Sequence, residues 1–154
     1  MSVVASRSHA GGSLAASVHS ILDTLERVPM PLMVLLMRLG IAAVFFKSGL
    51  TKIASWQATV QLFAMEYQVP ALPPELAAYL AATFELTCPV LIVLGLATRL
   101  GALALLGMTA VIQIFVYPEN WSEHLLWASI LVYLAARGAG ALSLDRVIAR
   151  SWHP

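Results

Sequence analysis

Four apolar runs, separated by short stretches rich in proline, glycine and charge, dominate the chain. The first comes after Pro31 and runs from Leu32 to Ile53, close to the ~20 residues that a helix needs to cross a bilayer. The second runs from about Glu75 to Leu96. Pro74 sits where a helix start tolerates it, and Glu75 favours the first turn. The third, Leu100 to about Val116, carries no charge, and Gln113 is its most polar member. Pro118 closes it, and Asn120-Trp121-Ser122-Glu123 has the spacing of an N-cap with a capping glutamate three residues later. The fourth run reaches about Ala136. It is short, so it is expected to start in the interface at Trp121 or to continue past Arg137.

Two weaker patterns flank these runs. Leu14, Val18, Ile21, Leu22, Leu25 and Val28 form a helical stripe opposite His19, Asp23, Glu26 and Arg27. That pattern predicts an amphipathic helix lying on the membrane surface, the alternative being a helix packed on a neighbouring subunit. Trp56 to Tyr67 places Val60, Phe63, Ala64 and Tyr67 on one face of a short interfacial helix, and Pro70, Pro73 and Pro74 break the segment beyond it. The fold class is therefore all-α: a four-helix transmembrane bundle with an amphipathic N-terminal interfacial helix. Residues 1–30 form the polar tail and that helix, 31–146 the transmembrane domain and 147–154 a cytoplasmic tail.

Composition agrees with this reading. The chain is 60% hydrophobic and only 11% charged, against roughly 25% charged residues in soluble domains. A net charge of +1 with no Lys/Arg run excludes nucleic acid as a natural partner; the lipid bilayer is the first partner, with a protein partner or a homo-oligomer beside it. With four spans both termini share one side. Arg7, Arg27, Arg99, Arg137, Arg146 and Arg150 fall there, while the opposite loops hold Lys52 beside Glu66, Glu75, Glu119 and Glu123. The positive-inside rule places that side, and both termini, in the cytoplasm.

The candidate chemistry lies inside the spans. An ionised group at mid-bilayer costs ~2.5–3.5 kcal/mol on insertion scales, so each one calls for a partner or a wet cavity. Lys47 and Glu85 are the deepest, and they are expected to pair. Gly40, Ala43 and Thr51 share the Lys47 face and suit a bundle interior. Arg38 points to the opposite side and is expected to snorkel toward the headgroups, a place in another helix contact being the alternative. Pro89 deprives the Glu85 carbonyl of its helical donor, and Cys88 lies one turn beyond Glu85 on nearly the same face. Gln113 and His124 reach the same outer half, with Tyr117 and Trp127 as walls. The binding candidates are thus Lys47, Glu85, Cys88, Gln113 and His124, whereas a packing kink with a satisfied ion pair is the plainer reading; no catalytic residue is assigned. Cys88 is the sole cysteine and His124 the sole histidine outside the terminal segments. The chain therefore carries no haem, iron–sulfur, nucleotide or metal motif, and a freely bound quinone is the cofactor left open.

Arg38-Leu39, Phe46-Lys47-Ser48-Gly49-Leu50-Thr51-Lys52, Glu85-Leu86-Thr87-Cys88-Pro89, Leu94-Gly95-Leu96-Ala97-Thr98-Arg99 and Gly138-Ala139-Gly140 before Ser143-Leu144-Asp145 stand in a recognisable order. Over about residues 32–146 the chain resembles the DoxX family of bacterial and archaeal membrane proteins. The resemblance implies a four-helix protein of the bacterial inner membrane, related to a subunit of a thiosulfate:quinone oxidoreductase and to members associated with thiol and oxidative-stress systems. Ser48, Gly49, Lys52, Glu85, Pro89, Thr98, Arg99 and Asp145 occupy its motif positions, while the family's Gly-Pro-Gly appears as Gly138-Ala139-Gly140. The expected role is a membrane subunit of a redox system, quinone- or thiol-linked. A non-enzymatic membrane partner that recruits a soluble enzyme is the alternative, with a small-solute or proton carrier ranked last.

Overall fold

The computed structural model describes residues 17–20, 22–23 and 26–151. Leu14, Ile21 and Leu25 of the expected N-terminal stripe lie outside the described residues. Described Val18 and Leu22 are helical and exposed.

Four long helices pack in a ring. They are α1 (Met30–Ala54), α3 (Pro74–Leu94), α4 (Thr98–Val111, prolonged by a π turn at Ile112–Val116) and α5 (Trp121–Arg137). The first three are long and apolar enough to span a bilayer. The fourth has 17 residues, about 25 Å of helix, and runs from Trp121 to Arg137. A short α2 (Trp56–Leu62) with a π turn at Phe63–Tyr67 fills the gap between α1 and α3, and α6 (Leu144–Ser151) comes after the bundle. No strand occurs among the described residues.

The core is one apolar cluster drawn from all four helices: Val34, Ile41 and Phe45 of α1, Cys88 and Ile92 of α3, Ala102 and Leu105 of α4, Leu131 and Leu134 of α5. Small residues set how close the helices come. A Cβ at Gly49 would stand 2.9 Å from Leu86 Cδ2 and 3.1 Å from Glu85 Cβ, so glycine permits the tightest α1–α3 approach. At the second cluster Phe63 packs on Ala77 and Ala78, flanked by Trp56, Val60 and Tyr67. Ala64, expected on that face, is exposed.

At the end of the bundle that carries Met30 and Arg137, which we call the arginine end, α3 stops at Gly95 in the left-handed conformation (φ 69°). Its N–H bonds to Ile92 and that of Leu96 to Leu91, the pattern of a Schellman cap. Ala97 is also left-handed (φ 48°), and its N–H donates to Asp145 Oδ1 at 3.0 Å while the Asp145 N–H donates to the Gly95 carbonyl at 3.0 Å. This reciprocal pair ties the start of α6 to the α3–α4 turn.

Arg38 corrects the sequence reading. It does not snorkel: it is 1% exposed and donates Nε to the Ile92 carbonyl (2.7 Å), Nη2 to Val93, and Nη1 to Ala139 (3.1 Å) and Leu142. The guanidinium thus adds donors to carbonyls of the last turn of α3, where a helix terminus is short of backbone partners, and to those of the loop after α5. Its phase explains why. Arg38 lies four residues after Val34 and three before Ile41, on the buried face of α1. Gly40, Ala43, Lys47 and Thr51 lie on the exposed face instead, so the stripe of small residues looks outward.

The expected capping box also differs. Asn120 stands at the N-cap of α5 but makes no side-chain cap bond. A 3-10 turn at Pro118–Asn120 leads into the helix.

Candidate functional site

Toward the other end of the bundle the four helices part around a cavity of about 460 Å3, within the size range of small-molecule sites. Its walls are mostly apolar and aromatic: Phe45, Phe63, Phe84, Met108, Trp127 and Tyr117. Trp127 is held edge-on by Phe45 (ring centroids 5.4 Å apart) and stands 5.2 Å from the His124 ring.

Its polar groups come from α1 and α3 on one side and from α4 and α5 on the other. Glu85, 4% exposed in its side chain, meets Lys52, not Lys47. The Lys52 ammonium donates to Glu85 Oε1 at 2.9 Å, contacts Oε2 at 2.7 Å, and donates to Ser48 Oγ at 3.0 Å. The Ser48 hydroxyl donates to Glu85 Oε1 at 3.3 Å. Ser48 and Lys52 are one helical turn apart in phase with Arg38, Ile41 and Phe45. Lys47 is one residue off that phase, about 100° away, and is exposed. The expected Lys47–Glu85 pair is therefore replaced by a Lys52–Glu85–Ser48 cluster. It is the one ion pair among the described residues.

Across the cavity His124, 4% exposed, shares a 2.7 Å hydrogen bond between Nδ1 and Gln113 Oε1. The Gln113 amide nitrogen donates to the Pro118 carbonyl at 2.8 Å, which fixes the amide with its oxygen toward the histidine. Nδ1 must then be the donor, and a neutral ring keeps its lone pair on Nε2. The π turn at Ile112–Val116 carries Gln113, so an irregularity in α4 positions the residue that orients His124.

Donors and acceptors are unevenly matched in this site. Lys52 and Ser48 direct their donors into the cluster itself. The clearest free valence is an acceptor, His124 Nε2, which has no partner among the described residues; Glu85 Oε2 is held by the Lys52 ammonium at 2.7 Å and has a lone pair left for one further donor. A ligand that presents hydroxyl groups would satisfy both. Near the mouth, the Tyr117 hydroxyl donates to Glu66 Oε1 at 2.8 Å and lies 3.4 Å from the Tyr67 hydroxyl. Tyr117 lies just beyond the α4 span. Its phenol is held well above the ordinary tyrosine range, by the Tyr67 contact first, then burial and the bond to Glu66.

Of the binding candidates, Glu85, His124 and, through His124, Gln113 come together at this cavity; Tyr117 and Trp127 are among its walls. Cys88 is buried on the α3 face toward α4, where a Cβ at Gly101 would stand 3.8 Å from its own, and does not line the cavity. Of the motif residues, Ser48 and Lys52 join the site, Gly49 sets the helix approach beside it, Pro89 is buried inside α3, and Asp145 ties the α3–α4 turn. Thr98 is buried at the start of α4 and Arg99 is exposed beside it. The spacing of Ser48 and Lys52 from Arg38 and Phe45 was the signal for the Lys52 pair.

Comparison with known proteins settles the family. The DoxX family model matches residues 33–118. The chain belongs to the DoxX family. It is 30% identical over 125 residues to an uncharacterized protein of Haemophilus influenzae, covering 74% of this chain and 82% of the relative. It is also 30% identical over 129 residues to the inner membrane protein YphA of Escherichia coli, covering 75% of this chain and 90% of the relative. No solved structure matches the chain. A DoxX-family membrane protein with apolar spans and an inner-membrane relative fits the bacterial inner membrane.

Proposed function

We propose that this DoxX-family protein is the membrane subunit of a redox system, and that its cavity holds the ring of a quinol, the reduced and hydroxyl-bearing form of a quinone. The observation that carries this reading is a pair of acceptors with capacity to spare, His124 Nε2 and the Lys52-paired Glu85 carboxylate, from residues that line one apolar, aromatic cavity. A quinone offers only acceptors, whereas a quinol offers two O–H donors, so the polar groups favour the reduced form. Oxidation of a quinol to a quinone releases two electrons and two protons. His124 and Glu85 are the groups placed to take the protons, and the electrons pass to a partner oxidoreductase. Both termini and the arginine end face the cytoplasm in this reading, in keeping with the arginine distribution.

Trp127 in the cavity wall provides the test. A hydroxylated quinol analogue titrated into the detergent-solubilised full chain should quench tryptophan emission saturably, and Trp127→Phe should remove most of the quench. The dimethyl ether of the same analogue should bind at least about tenfold more weakly, since it cannot donate to the two acceptors. Equal binding of hydroxyl and ether forms, or no saturable quenching, overturns the reading.

A further inference from the structure

The arginine end carries a second concavity, about 400 Å3, formed by the α3–α4 turn, the end of α5 and the start of α6. Arg99, Arg137 and Arg146 line it with Asp145, Ser143 and the turn at residues 138–140. The single carboxylate, Asp145, accepts the Ala97 N–H on Oδ1 and offsets one of the three positive charges. Among the described residues none of the three arginines has a carboxylate within ion-pair distance. Arg99 lies against the backbone at Gly138, where a Cβ would stand 3.4 Å from Nε; the positive φ of Gly138 (76°) shapes the turn there.

Three guanidinium groups against one carboxylate leave the depression net positive, and a further anion would offset the excess. Their planar forks match the oxygens of a phosphate. The surroundings identify the source of that phosphate. Leu100 (70% exposed) and Leu142 (53%) stand beside the depression, and α6 exposes Val147 and Ile148 alongside Arg146 and Arg150. Apolar side chains next to arginines suit the boundary between headgroups and acyl chains.

We propose that this cavity is a binding site for a phosphate group carried by an anionic phospholipid, held by Arg99, Arg137 and Arg146. It is separate from the quinol site and does not depend on it.

The test uses the full chain in detergent, with phosphatidylglycerol, phosphatidylcholine and inorganic phosphate as probes and native mass spectrometry as the readout. Phosphatidylglycerol should be retained at about one per chain, at least tenfold in preference to phosphatidylcholine. The triple variant R99Q/R137Q/R146Q should lose that preference. Because these side chains are exposed, the variant should unfold at nearly the wild-type temperature, which is measured alongside. Lys47→Gln, which removes an exposed cation on the opposite half of α1, should leave retention unchanged. Stoichiometric binding of inorganic phosphate without lipid retention, lost in the triple variant, would keep the anion site and assign it to a soluble phosphate ligand. Equal retention of both lipids without phosphate binding, or retention unaffected by the triple substitution, overturns the proposal.

Discussion

Lys52 reaches Glu85 across the α1–α3 interface from the same face of α1 that carries Arg38, so one helix face anchors the bundle at two heights. Fourteen residues of helix separate the two cations, about 21 Å along the axis. One cation meets a carboxylate beside the cavity, and the other meets backbone carbonyls at the arginine end.

The first prediction rests on the ion pair. Glu85→Gln leaves the Lys52 ammonium without its counter-ion, and Lys52→Met leaves a carboxylate in an apolar wall. Each should destabilise the solubilised protein by about 3 kcal/mol, the lower end for broken buried pairs, because Lys52 keeps some exposure. The double variant should recover most of the loss, read as a coupling energy from denaturant unfolding. Lys47→Met should change stability by less than about 0.5 kcal/mol. A large effect at Lys47 with none at Lys52 would contradict this pairing.

Gly95 gives the second. A Cβ there would stand 2.5 Å from Ser143 Cβ and 2.8 Å from Arg38 Nη2, and the backbone is left-handed. Gly95→Ala should cost about 2–4 kcal/mol, from overpacking and backbone strain together. Arg38→Lys should lower thermal stability nearly as much as Arg38→Met, because one ammonium cannot reach carbonyls on both α3 and the loop after α5. Full retention of stability by Arg38→Lys would show that the charge alone matters there.

Tyr117 gives a pH dependence. Its folded phenol titrates above the ordinary value of about 10. In alkaline solution the unfolded chain therefore loses this proton before the folded chain does. The contribution is complete below the unfolded pKa and is lost as pH rises through the folded one. Of the four tyrosines, Tyr117 should ionise last in a phenolate absorbance titration. Tyr117→Phe should delete that late phase and flatten the alkaline loss of stability. An unchanged late phase would refute the assignment.

Orientation gives the fourth. Reporter fusions at Pro154 and in the loop near Pro70 should report opposite compartments, with Pro154 in the cytoplasm. A shared compartment would contradict the odd number of spans, three, between that loop and Pro154.

Apolar run length and the punctuating prolines made the four long helices legible in the sequence to within a few residues, because a bilayer demands a fixed length of hydrocarbon-compatible helix. The facing of α1 was harder. Gly40, Ala43 and Thr51 offered a small-residue stripe, and the competing stripe of Val34, Arg38, Ile41, Phe45, Ser48 and Lys52 contains two cations that depth alone treats as unfavourable. The groups that offset their burial come from far along the chain: carbonyls at Ile92 and Ala139, and a carboxylate at Glu85. Hydrophobic periodicity within one helix carries no record of them. The His124–Gln113 contact was legible only as nearness, since its geometry rests on a π turn that leaves no plain mark in composition.

Arg38 also sets a schedule for making this protein. Its partners lie 54 and 55 residues later in α3, and 101 and 104 residues later beyond α5. At ~5–20 residues per second, the ribosome delivers the last of them about 5–20 s after Arg38 itself. The α3 carbonyls become available about halfway through that interval, and the full set of partners exists only once the loop after α5 has been synthesised.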